Sequence, residues 1–125
     1  MDTSIYQIIC DGITSMNLPS WKKIVFLAMY TDDSYEMKFY VRINEEYKDC
    51  FSLGIPIKDV VSMFSKLDKD ILLHRNNMKQ FESEKWNSMT LSFSRTGEFH
   101  VDYDYDNTSV DFIAYIEAWK AKHLL

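Results

Sequence analysis

The stretch Asp102-Tyr103-Asp104-Tyr105-Asp106 places three carboxylates within five residues. Carboxylates so close together serve two kinds of chemistry: they ligate hard cations, or they meet lysine and arginine on a partner. A calcium-type loop must bend until its oxygens converge, and it normally carries a glycine for that bend. Here the acids alternate with Val101, Tyr103 and Tyr105, which is the period of a straight strand. That period spreads Asp102, Asp104 and Asp106 along one face about 7 Å apart, with Glu98 and His100 on the same side. An acidic docking surface is therefore expected, and neither a metal nor a cofactor is. An ordinary solvated strand face is the competing account. Neighbouring like charges repel and Asp is scarce in strands, so such a strip needs compensation, for which Lys38 and Arg42 are candidates.

The other chemically capable residues are dispersed. His74, His100 and His123 lie in separate segments, with no Cys or Ser at a spacing that makes a catalytic dyad. Ser92 and Ser94 lack a Gly-x-Ser-x-Gly elbow, and the isolated Gly12, Gly54 and Gly97 form no phosphate loop. Cys10 and Cys50 are too far apart for a Cys-x-x-Cys site and are expected as buried free thiols. The chain reads as a binding protein rather than an enzyme.

Positioning that strip requires a scaffold, and the hydrophobic pattern supplies one. Ile5, Ile8, Ile9, Ile13 and Met16 recur at helical spacing, and Asn17-Leu18-Pro19-Ser20 ends that helix. Ile24 to Tyr30 is apolar on both faces, as in a central strand. After the turn Thr31-Asp32-Asp33-Ser34, Tyr35, Met37, Phe39, Val41 and Ile43 alternate with Glu36, Lys38, Tyr40 and Arg42, giving a half-buried strand. A third strand is expected from Tyr47 to Leu53, up to Gly54. Pro56 suits the first turn of a helix whose apolar residues, Ile57 through Phe81, repeat with helical period to about residue 82. The Asn76-Asn77 pair is a place where that helix can break. Met89, Leu91 and Phe93 then alternate with serines and Thr90, Arg95-Thr96-Gly97 turns the chain, and Phe99 begins the acidic strand. Asn107-Thr108-Ser109 caps a last helix bearing Phe112, Ile116 and Trp119 on one side. The expected fold is α+β. An antiparallel sheet of about five strands, in the order helix, three strands, helix, two strands, helix, has its helices mainly on one face and water on the other.

Composition narrows the partner. A chain of 125 residues with eight Phe, eight Tyr and three Trp fits one domain, and its aromatics must fill a core or form a contact surface. Each Trp is expected to cap core, while Tyr40, on the polar sheet face, is the better interface candidate. Nineteen acidic against fourteen basic residues give a formal charge of −5, which repels phosphate backbones and attracts basic partners. Nucleic acid is not an expected ligand. Neither is a membrane, because Ile24 to Tyr30 is too short to span a bilayer, and Met1-Asp2-Thr3-Ser4 carries no basic lead into an apolar run. A cytoplasmic location is expected.

Residues 86 to 105 also carry a pattern: Trp86-Asn87-Ser88-Met89-Thr90-Leu91-Ser92-Phe93, then Thr96-Gly97-Glu98-Phe99, then Val101-Asp102-Tyr103-Asp104-Tyr105. This order of Trp-x-Ser-x-x-Leu, Thr-Gly-x-Phe and Asp-Tyr-Asp-Tyr elements resembles the YezG-like immunity proteins. Weaker similarity extends through Trp21, the Asp32-Asp33 turn and Trp119-Lys120. The chain departs from the family at Ser34-Tyr35, where glycines are common, and at Tyr115, where an arginine is frequent. The resemblance implies an antitoxin for a polymorphic or contact-dependent toxin, often a nuclease. On that expectation Asp102, Asp104, Asp106, Glu98, Tyr40 and Glu36 contact the toxin. An adaptor or chaperone for a secreted partner, and less readily a metal-dependent enzyme, are the alternatives.

Overall fold

Strand β1 (Lys23–Tyr30) is the axis of the fold, because a run without a polar side, Ile24 to Tyr30, can leave neither face in water. The computed structural model describes residues 3–31, 34–77, 86–105 and 112–124, and in it every residue from Ile24 to Tyr30 is buried. β2 (Tyr35–Ile43) and β4 (Ser88–Ser94) flank β1, while β3 (Glu46–Asp49) and β5 (Phe99–Asp104) form the edges. The sheet runs β3-β2-β1-β4-β5, antiparallel throughout.

Two helices, α1 (Thr3–Thr14) and α2 (Ile57–Asn77), cover one face. Ile5, Ile9 and Ile13 of α1 and Val60, Phe64, Leu67 and Ile71 of α2 pack there with Ile24, Phe26, Phe39 and Leu91. Each such side chain contributes roughly 1.5–3 kcal/mol on leaving water. Trp86, wholly buried, closes this layer, with Tyr30 and Tyr103 edge-on or tilted against it at 5.7 and 5.5 Å. Arg75 donates its Nε–H to the Trp86 carbonyl and lays its guanidinium over the Tyr30 and Trp86 rings.

The helices do lie mainly on one face, but the second face is not left to water. Helix α3 (Phe112–His123) crosses it, burying Ile116 and Trp119 against Val25, Leu27, Met29 and Tyr40. The reason is already in β1: Val25, Leu27 and Met29 are as apolar as Ile24, Phe26 and Ala28, so both faces need a cover. The third strand is shorter than the Tyr47–Leu53 expected. It ends at Asp49, whose carboxylate accepts the Phe51 N–H (2.7 Å) and caps a 3-10 turn over Cys50–Ser52. Cys10 and Cys50 are free thiols. Helix α2 continues through Asn77; Met78 and Phe81, the Asp32-Asp33 turn and the Asn107-Thr108-Ser109 cap lie outside the described residues.

The β4–β5 hairpin follows the expected turn. Gly97 N–H donates to the Ser94 carbonyl (3.1 Å) and Ser94 N–H to that of Glu98 (2.9 Å). This is a three-residue loop with the left-handed position at Gly97, φ +94, which a β-carbon would strain.

Candidate partner-binding face

In an antiparallel ladder directly paired residues point to the same side, so the register assigns the faces. The pairs Leu27↔Thr90 and Thr90↔Asp102, with Ser88↔Asp104 and Ser92↔His100, put Asp102, Asp104 and His100 on the side that α3 crosses. Met29↔Glu36 and Val25↔Tyr40 put Glu36 and Tyr40 there as well. Glu98, at the end of the hairpin turn, lines a shallow depression with Lys23, Ser92 and His100. Asp106 lies outside the described residues.

A shared face is not a shared site. Glu36 is exposed on β2 and lies across the sheet from Asp104, three strand spacings or about 14 Å away, with Asp102 farther still. Tyr40 is a correction: the expectation of an exposed contact residue fails because α3 covers it. Only 5% of Tyr40 is exposed, and its ring lies 5.7 Å from that of Trp119. Burial, reinforced by the Asp49 charge, pushes its phenol up to about 12. An unfolded chain ionises the same phenol near 10, so this group favours the folded state fully below pH 10, and the advantage is lost as pH rises toward 12. Tyr40→Phe is expected to flatten the fall in melting temperature between pH 10 and pH 12 while changing little at pH 7. An unchanged alkaline slope would contradict this burial.

The acidic strip has its own supports. The Tyr115 hydroxyl donates to Asp104 Oδ2 at 3.1 Å and also hydrogen-bonds the Ser88 hydroxyl. His100 Nε2 sits 3.3 Å from Asp102 Oδ1, with both side chains well exposed. Lys38 and Arg42 do not provide the compensation. They lie on β2, remote from β5, where Arg42 pairs with Glu45 at 3.3 Å and stacks over Tyr47. Asp104 thus helps to anchor α3, whereas Asp102 faces outward.

Between α3 and the β4–β5 strip lies an open cleft of ≈ 480 Å³, lined by Asp102, Asp104, Tyr115, Trp119, Lys122 and His123 among others. The Trp119 indole N–H donates to the Thr90 hydroxyl (2.8 Å) at its floor. Tyr115, Trp119 and His123 recur every fourth residue, so they line the sheet-facing side of α3. Burial, helped by the Lys122 charge, holds the His123 imidazole below its ordinary range, with Asp102 acting in the opposite sense. Lys23, His100 and Lys122 line the adjoining surface with Asp102. The strand period in the sequence gives the spacing of the acids but neither the Tyr115 contact nor the cleft. The available signals were the i, i+4 aromatic spacing in the last helix and the run Ser88, Thr90, Ser92 on the acidic face. Among the described residues no group of three His, Cys, Asp or Glu is placed to hold a metal ion, and none of their helices is long and apolar enough to cross a membrane.

Comparison with known proteins adds a second line. A family model described as "Immunity protein YezG-like" matches residues 3–125. The chain is 28% identical over 136 aligned residues to "Immunity protein YezG" of Bacillus subtilis (strain 168), covering 96% of this chain and 85% of that protein. It is 30% identical to the protein of the same name in Bacillus spizizenii, over 86% and 73% of the two chains. A third relative is "Type VII secretion system protein EsaG" of Staphylococcus aureus, 27% identical over 82% of this chain and 67% of that one.

Proposed function

The chain belongs to the YezG-like immunity protein family, and from that premise we propose that it neutralises a cognate toxin, a basic nuclease, by binding it one to one and occluding it. The observation that carries the reading is the family match over residues 3–125. The charge of −5 and the outward-facing Asp102 beside an open cleft suit a partner whose own surface binds nucleic acid and is therefore basic. Steered by that complementarity, the two surfaces associate quickly, and Asp102, Glu98 and the cleft walls desolvate against Lys or Arg of the toxin. Asp104 contributes charge from beneath, held by Tyr115. The protein performs no chemistry in this scheme and acts in the cytoplasm of the cell it protects.

The secretion-system name of the Staphylococcus relative favours a second reading, an adaptor or chaperone that escorts a secreted partner. The two readings part on toxicity. Cells producing the cognate toxin domain are expected to survive when the chain is co-produced and to die without it. Death at equal toxin levels despite a stable complex would leave only the escort role.

A further inference from the structure

We propose that the outer edge of β5 at Phe99 and Val101 is the primary recognition element, and that it accepts an extended segment of the toxin, apolar and basic in alternation, as a sixth strand of the sheet. The inference rests on the proposed immunity role and adds the geometry of recognition.

The sheet ends at β5, with no strand beyond it among the described residues. The Ser94 N–H to Glu98 carbonyl bond (2.9 Å) sets the phase of the hairpin ladder. Hydrogen-bonded pairs alternate along an antiparallel ladder, so His100 and Asp102 bond to β4 while the backbone groups of Phe99 and Val101 point away from it. Such an outward row is a template for a further strand. The other edge is a poor template, since β3 is only four residues long and three of them are charged.

The side chains of β5 define the occupant. Phe99 leans on Tyr6 at 5.4 Å yet keeps 52% of its surface exposed, and Val101 is part-exposed on the same side. An added strand would cover them with apolar residues. On the opposite side the new strand's alternate residues would lie beside His100 and Asp102 and near Glu98, where Lys or Arg is complementary. A second copy of this chain is a poor occupant, because antiparallel pairing of two β5 strands brings carboxylates on one face against carboxylates. The acids therefore both block self-association and select a basic strand.

The test uses the full chain and the cognate toxin domain. Val101→Pro removes an N–H that no ladder bond needs, so the fold is expected to persist while the added strand is blocked. Binding of the toxin domain should weaken at least tenfold, with an unchanged far-ultraviolet spectrum. In the wild-type complex, exchange of the Phe99 and Val101 amides should slow at least tenfold relative to the free protein. A folded Val101→Pro variant that binds as wild type, or a saturated complex in which both amides exchange at the free rate, would overturn the edge while leaving the immunity role intact. Should the variant not fold, the exchange measurement decides alone. Absence of any toxin binding by the wild-type chain would overturn both.

Discussion

Asp102→Lys is expected to weaken toxin binding by about 2 kcal/mol or more, a factor of about 30 in Kd, without unfolding the protein. Asp102 is suited to this substitution because its side chain is well exposed and its near partner is His100 at 3.3 Å rather than an element of the core. The reversal puts a cation where the proposal docks a basic toxin, so repulsion replaces attraction and the association rate should fall most at low salt. Asp104 is a worse probe. Its carboxylate holds Tyr115, so a lysine there also loosens α3 and mixes stability with recognition. The check is calorimetry and stopped-flow association of the folded variant with the toxin domain. An Asp102→Lys protein that binds with wild-type affinity would remove this strip from the contact surface.

The largest effect on stability is expected at Trp86. Trp86→Ala should cost about 3–5 kcal/mol, which is a large share of the roughly 5–15 kcal/mol that holds a domain of this size. The indole is fully buried between Tyr30, Tyr103 and the Arg75 guanidinium, and its removal leaves a cavity under all three. One detail separates volume from polarity. Among the described residues the Trp86 Nε1–H has no hydrogen-bond partner, and an unmade bond of that kind costs about 1–3 kcal/mol. Trp86→Phe, which deletes that donor and keeps most of the ring, should therefore be much milder than the alanine variant. Urea denaturation of both checks this, and equal losses would contradict the account.

What the sequence disclosed follows from the range of the forces involved. Alternation in Tyr35–Ile43 and Met89–Phe93, and the turn at Gly97, are local signals, and the structure has the strands and the hairpin they predict. The two-residue period of a strand puts Asp102 with Asp104, and Glu36 with Tyr40, on one face of each strand, and the register brings both pairs to the same side of the sheet. Long-range packing is a different matter. Tyr40 shares its face of β2 with Glu36, Lys38 and Arg42, and only the docking of Trp119, 79 positions later, buries it. The cue is the two-sided apolarity of Ile24 to Tyr30, which requires a cover on the second face, where Tyr40 pairs with Val25. The support of the acidic strip by Tyr115 has a fainter cue, the i, i+4 aromatic spacing of α3, since it arises between β5 and a helix that follows after an intervening segment.

The central proposal is that the chain neutralises its toxin by binding it one to one. Titrating a fixed amount of the toxin domain with the purified chain tests that most directly. Toxin activity on nucleic acid is predicted to fall linearly and reach zero at one equivalent, as a stoichiometric inhibitor requires. Full toxin activity in a tenfold excess of correctly folded protein would contradict the account.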